Sequence, residues 1–158
     1  MQSNLKIKLL ADCPEYISPL AYLWFNELGK AWIPNASVER AKETYRTHAN
    51  KDIMPMTFVA IYENKPIAMA SLREDDGIGN HFSPYLGSLI VHPDYRRRGI
   101  GELLINLVKQ QAKVMGHDKL YLIALDPTLP SWYTRLGWKY IGMDKLYHHP
   151  VTVMEIEL

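Results

Sequence analysis

Residues 86–116 constrain this chain more than any other stretch. A short apolar run over 86–91 stops at His92-Pro93. Arg96, Arg97 and Arg98 follow, then Gly99-Ile100-Gly101. Next comes a helical pattern that puts Ile100, Leu103, Leu104, Leu107, Val108, Ala112 and Met115 on one face, with Gly116 as its stop. An apolar run of that length bounded by turn residues reads as a strand buried on both faces. The next apolar run, 120–124, is a second such strand. A strand, a helix and a strand in this order demand a right-handed parallel crossover. An α/β fold is the consequence.

The flanks add antiparallel pieces. Leu5, Ile7 and Leu9 alternate with Lys6 and Lys8, the period of a half-buried strand. Asp12 and Pro14 mark a helix start, Tyr16, Ile17, Leu20, Leu23, Trp24 and Leu28 follow at helical spacing, and Gly29 is the expected stop. Ser37 is the expected N-cap of a second helix, with Glu39 in its first turn. Residues 57–62 and 66–72 form a hairpin about Glu63-Asn64-Lys65. Residues 73–84, rich in Gly, Asn and Asp, form a polar loop long enough to carry function. A loop and short helix fill 127–136, and 140–143 pairs with 151–156 to close the sheet.

The remaining bulk properties narrow the class of partner. A chain of 158 residues suits one domain with one core. The formal net charge of +1 supplies no field to gather nucleic acid or an anionic membrane. Cys13 is the only cysteine, so no internal disulfide forms, as in a reducing compartment. Neither a signal-peptide core nor an apolar run of about 20 residues is present. These features read as a cytoplasmic protein.

Local chemistry at the arginine-glycine turn points to a phosphate. The first N–H groups of a helix lack partners within it, and the helix dipole adds positive character there. Glycines let an anion approach the backbone, and arginines bond its oxygens in pairs. The Rossmann fingerprint fails, because Glu102-Leu103-Leu104 supplies no third small residue. The P-loop fails for want of Gly-Lys followed by Ser or Thr. What remains is R-x-x-G-x-G, with Arg96, Gly99 and Gly101.

That segment resembles the coenzyme A motif of the GNAT superfamily of N-acetyltransferases, from Leu89 through His92-Pro93 to Gly101. A second stretch, Trp132-Tyr133-Thr134-Arg135-Leu136-Gly137-Trp138, resembles the family's aromatic-Tyr-x-x-Leu-Gly-aromatic motif. The closing stretch around Val151, Val153 and Met154 resembles the last hairpin of many bacterial members. The resemblance implies one N-acetyltransferase domain over 1–158. It also implies a mixed, mostly antiparallel sheet of about seven strands flanked by about four helices, with a splayed central parallel pair.

The site follows by the same resemblance. Leu89, Ile90, Val91, Arg96, Arg97, Arg98, Gly99, Ile100, Gly101, Glu102 and Tyr133 would hold acetyl-CoA. The Leu89 N–H would polarise the acetyl carbonyl, and the Tyr133 phenol would protonate the leaving thiolate. Direct transfer to a primary amine of a small molecule or peptide is the implied reaction, with no metal. The general base stays open among Glu27, Asp75, Asp76, His81, His92 and a water chain, because Tyr85 stands where some relatives carry Glu. Glu27, Asp75, Asp76, His81 and Tyr85 are the expected acceptor-binding residues, beside Trp24 and Trp32. His148-His149 lacks a third ligand at sensible spacing and reads as a turn. Cys13 lies far in sequence from the motif and is not the expected nucleophile. A non-catalytic acetyl-CoA sensor is the alternative, and the expected assembly is a monomer or homodimer.

Overall fold

In the computed structural model, which describes residues 4–158, seven strands form one sheet in the order β1-β2-β3-β4-β5-β7-β6. The strands are β1 (Leu5–Leu9), β2 (Met56–Tyr62), β3 (Lys65–Arg73), β4 (Tyr85–Val91), β5 (Lys119–Ala124), β6 (Lys139–Leu146) and β7 (His149–Glu157). The helices are α1 (Ile17–Trp24), the single turn α2 (Lys30–Trp32), α3 (Val38–Thr47), α4 (Ile100–Val114) and α5 (Leu129–Arg135). Only the β4–β5 pairing is parallel, and the rest of the sheet is antiparallel. The expected mixed sheet is therefore observed.

Pleating divides the core between the two sheet faces. On β2, Val59 and Ile61 point to one side and pack with Met69, Ile90 and residues of α1 and α3, including Leu20, Ala21 and Tyr45. Met56 and Ala60 point to the other and join Leu86, Leu120, Leu122 and the inner face of α4. Each large aliphatic side chain buried this way stabilises the fold by about 1.5–3 kcal/mol. The β2–β3 hairpin turns on Glu63 and Asn64, with φ of 50° and 62°. Two left-handed residues in succession match the strand twist of a type I′ turn.

Three local expectations change. The first helix does not begin at Asp12. Two 3-10 turns, Leu10–Asp12 and Pro14–Tyr16, come first. Gly29 does not stop it either, since the chain runs on through a π-helical turn, Phe25–Gly29, into α2. A Cβ on Gly29 would sit 2.4 Å from Cζ3 of Trp24. Glycine stands there to make room for the indole. On α4, Leu103 is 38% exposed and Ile105 is buried in its place. That helix lies across β2, β3, β4 and β5, so its buried face is broader than one stripe. The Ser37 cap is as expected, its Oγ accepting from the Arg40 N–H at 3.1 Å. Gly116 closes α4 in the left-handed region, φ 91°.

Candidate active site

β4 is disturbed on both edges. Toward β3 the register slips between Met69 and Ser71, which pair with Ile90 and Gly87. Ser88 and Leu89 together oppose Ala70, a β-bulge, and Ser88 adopts φ 49°. The Tyr45 hydroxyl reaches across from α3 and donates to Ser88 Oγ at 3.0 Å, which braces the bulge. Toward β5 the only paired residues are Tyr85 and Tyr121. Beyond them the two parallel strands part.

A cleft of about 1160 Å³ opens where they part. Single-ligand pockets are typically about 300–1,000 Å³, so two reactants fit here. Its walls include β4 from Leu86 to Val91, the turn residues Arg96, Arg97, Gly99, Ile100, Gly101 and Glu102, Trp132 and Tyr133 of α5, and Trp24, Glu27 and Trp32 near the first helix. The turn curls tightly because Arg97 and Gly99 both take positive φ, 62° and 79°. Gly101 faces a narrow slot: a Cβ there would meet Trp132 Cη2 at 3.4 Å and Val91 Cγ2 at 3.8 Å. Strand, left-handed turn and helix N-terminus thus deliver unpaired N–H groups to the cleft floor.

The arginines divide. Arg96 donates from Nε to the Val91 carbonyl at 2.9 Å and from Nη2 to Glu27 Oε1 at 2.7 Å. Glu27 therefore pairs with the turn itself, across 69 residues of sequence. Arg97 lines the cleft. Arg98 is not on its wall, and its guanidinium lies over the Tyr95 ring at 5.5 Å. Tyr133 is 7% exposed and packs against Trp132 and Trp138. Burial raises its phenol above the ordinary tyrosine range, and the charge of Asp76 adds to the effect. It stays protonated at neutral pH, as a proton donor must.

The expected acceptor residues separate in the same way. Asp76 lines the cleft, 13% exposed, and accepts from Arg73 Nη1 at 2.7 Å. Burial pushes its carboxyl up to about 6, with Asp75 also raising it, against the lowering effect of Arg73. Asp75 instead organises the loop, accepting from the N–H groups of Gly77 and Gly79 at 3.2 and 3.4 Å. It borders a separate hollow of about 510 Å³ beside His48 and Thr47. His81 is exposed and stacks on Phe82. Tyr85 is fully buried and donates to Asn80 Oδ1 at 2.9 Å. His92 accepts from the Asp94 N–H at 3.1 Å, capping the turn before Arg96. His148 stands at the β6–β7 turn, and His149 meets the Trp32 ring edge-on at 4.9 Å. Among the described residues no cluster of three His, Cys, Asp or Glu is placed to hold a metal. Among them, too, no helix is long and apolar enough to cross a membrane. Cys13 is buried at the head of the first helical segment, its Sγ donating to the Leu9 carbonyl.

Sequence reasoning missed two features. Tyr45 and the Ser88 bulge gave no signal, because a β-bulge is set by pairing between strands. The Glu27–Arg96 pair joins distant segments, and only the fold reveals it.

A sheet split at its parallel pair, with a glycine-arginine turn at the mouth of the split, defines a class of acyl-transfer fold. The acetyltransferase (GNAT) family pattern matches residues 21–138. The chain belongs to that family. It is 34% identical over 86 residues to the amino-acid acetyltransferase of Proteus mirabilis, and 33% identical over 86 residues to that of Yersinia pestis. Each match takes in 53% of this chain and only 18% of the relative. Among solved structures it is similar to an aminoglycoside 6'-N-acetyltransferase complexed with coenzyme A, with TM-score 0.74, 16% identity and 96% of each chain covered. It is also similar to the NatC complex bound to Gag peptide and CoA, with TM-score 0.73, 18% identity and 98% and 99% covered. A third is the GNAT-family acetyltransferase from Streptococcus pneumoniae, with TM-score 0.70, 17% identity and 98% and 99% covered. These three establish the fold.

Proposed function

We propose that residues 1–158 form a single cytoplasmic N-acetyltransferase domain, which moves an acetyl group from acetyl-CoA directly to a primary amine of a small molecule or peptide. The parting of β4 from β5 at the N-terminus of α4 carries this reading. It supplies an unpaired strand edge for an extended pantetheine arm and a positive turn for a pyrophosphate. The amino-acid acetyltransferases and the coenzyme A-bound neighbours support the donor.

Acetyl-CoA fits the residues present. Arg97, Gly99 and Gly101 border the cleft mouth, and the left-handed turn aims backbone N–H groups at the pyrophosphate. Glu102 contributes its backbone N–H, since its carboxylate would repel the anion. Ile90 and Val91 hold the pantetheine arm through backbone bonds. Leu89, in the bulge, offers its N–H to the acetyl oxygen. An oxyanion donor of this kind lowers the barrier by about 3 kcal/mol. The amine nitrogen attacks the carbonyl carbon, the C–S bond breaks, and Tyr133 gives its proton to the departing thiolate. Glu27 and the Asp76 wall receive the acceptor.

The test is thiol release from acetyl-CoA over a panel of primary amines, with wild type and Tyr133→Phe. Tyr133→Phe is expected to lower kcat by about 10²-fold or more while coenzyme A affinity stays within about two-fold. Unchanged turnover makes Tyr133 a packing residue. Coenzyme A binding without acetylation of any amine would instead identify a sensor.

A further inference from the structure

We propose that Asp76 is the general base of this site: its carboxylate takes the proton from the acceptor's ammonium group beside the acetyl carbonyl. The inference rests on the acetyltransferase reading above.

The placement is the first argument. Asp76 lies over Gly87 of β4 so closely that a Cβ there would stand 2.6 Å from its Oδ1 and 3.1 Å from Arg73 Cδ. Glycine at this position makes room for the carboxylate against the strand. Gly87 is two residues before Leu89, and a strand rises about 3.3 Å per residue. The carboxylate thus stands about 6–7 Å along the strand from the proposed oxyanion donor. That gap holds one amine nitrogen, directly or through one water. Asp76, Gly87, Leu89 and Tyr133 share one cleft wall, and the charge of Asp76 is felt at the Tyr133 phenol.

The surroundings are the second argument. Arg73 fixes the carboxylate through Nη1. Asp75 opposes it from its own loop, Tyr45 faces it from α3, Tyr85 from β4 and Tyr133 from α5. Each of the three phenols is pushed up from its ordinary value by burial and stays neutral. Asp76 alone among these groups titrates near neutrality, at about 6. The rival candidates lack this geometry: Glu27 is tied to Arg96, His81 and Asp75 lie off the wall, and His92 caps a turn.

The protons balance. The ammonium gives one proton to Asp76, which passes it to solvent. The free amine attacks, the C–N bond forms, the C–S bond breaks and the electron pair leaves on sulfur. The thiolate takes the Tyr133 proton. The nitrogen's second proton passes through Asp76 to restore the phenol.

The experiment compares wild type, Asp76→Asn and Gly87→Ala on two acceptors, a strongly basic alkylamine and a weakly basic alkoxyamine already neutral at pH 7. Coenzyme A affinity is measured in parallel to confirm folding. Asp76→Asn is expected to lower kcat/KM for the alkylamine by about 10²–10⁴-fold and for the alkoxyamine far less. Its pH profile should lose the acidic limb near 6. Gly87→Ala, which crowds the carboxylate, should give a smaller loss with the same acceptor dependence. An equal loss on both amines, or none, overturns the assignment while leaving the transferase reading standing. Failure of wild type to acetylate any amine overturns both.

Discussion

At the scale of single residues, the site depends on side chains that are absent as much as on those present. Gly99 sits at φ 79° with nothing within 4 Å of where a methyl group would stand, so its requirement is conformational. Gly101 has an ordinary φ and a crowded slot, so its requirement is room. Asp at either position would add bulk and negative charge where a pyrophosphate is expected. Gly99→Asp and Gly101→Asp should each weaken coenzyme A binding by at least about 10²-fold, taking the loss of one charge-assisted bond as about 3 kcal/mol. Calorimetric titration with coenzyme A checks this, and retained affinity refutes the site. Both glycines were legible in the sequence because their spacing was fixed by a strand before and a helix after. The separation of Asp76 from Asp75 was not legible. Neighbours in a glycine-rich loop look alike until the loop folds, when one turns to the cleft and the other ties off backbone N–H groups.

At the scale of elements, the order of strands and helices was readable throughout, since each had its own period or cap. The irregularities were not. The Ser88 bulge and the π-helical turn Phe25–Gly29 arise from contacts between segments, and local propensity carries no trace of them. The π turn presents Trp24, Glu27 and Leu28 to the cleft. Gly29→Ala would drive a methyl group into the Trp24 indole and push the ring from its seat. The expected outcome is a several-fold change in acceptor KM with coenzyme A affinity little altered. Steady-state kinetics with the acceptor varied at saturating acetyl-CoA measures it. A matching loss of coenzyme A affinity would show that the two ends of the cleft are mechanically joined.

At the scale of the whole molecule, two buried groups set opposing responses to acid. His48 donates from Nδ1 to the Thr44 carbonyl at 2.7 Å, and its Nε2 is buried with no hydrogen-bond partner among the described residues. Burial holds it down at about 4, from an ordinary 6.5. From pH 6.5 down to 4 the unfolded chain binds a proton that the fold excludes, so His48 removes stability as pH falls. Asp76 is raised from 3.8 to about 6. From pH 3.8 up to 6 the fold keeps a proton that the unfolded chain has released, so Asp76 removes stability as pH rises. Each effect is about 3 kcal/mol over its range, and they offset one another where the ranges overlap. In urea unfolding, His48→Gln should therefore lose stability from pH 4 to 6, relative to wild type. Asp76→Asn should lose it from pH 6.5 to 4. The same sign in both variants would refute the pairing of effects.

The π-helical turn also bears on how this half of the molecule can be altered by length. One extra residue is wound into a helix that otherwise advances about 100° per residue. Deleting a single exposed position such as Asn26 would restore ordinary winding and swing everything after it by roughly that angle. Trp32 would leave His149 and the cleft together, while β4, α4 and the turn between them kept their places. A one-codon deletion there would redraw the acceptor's side of the enzyme and leave the donor's side unedited.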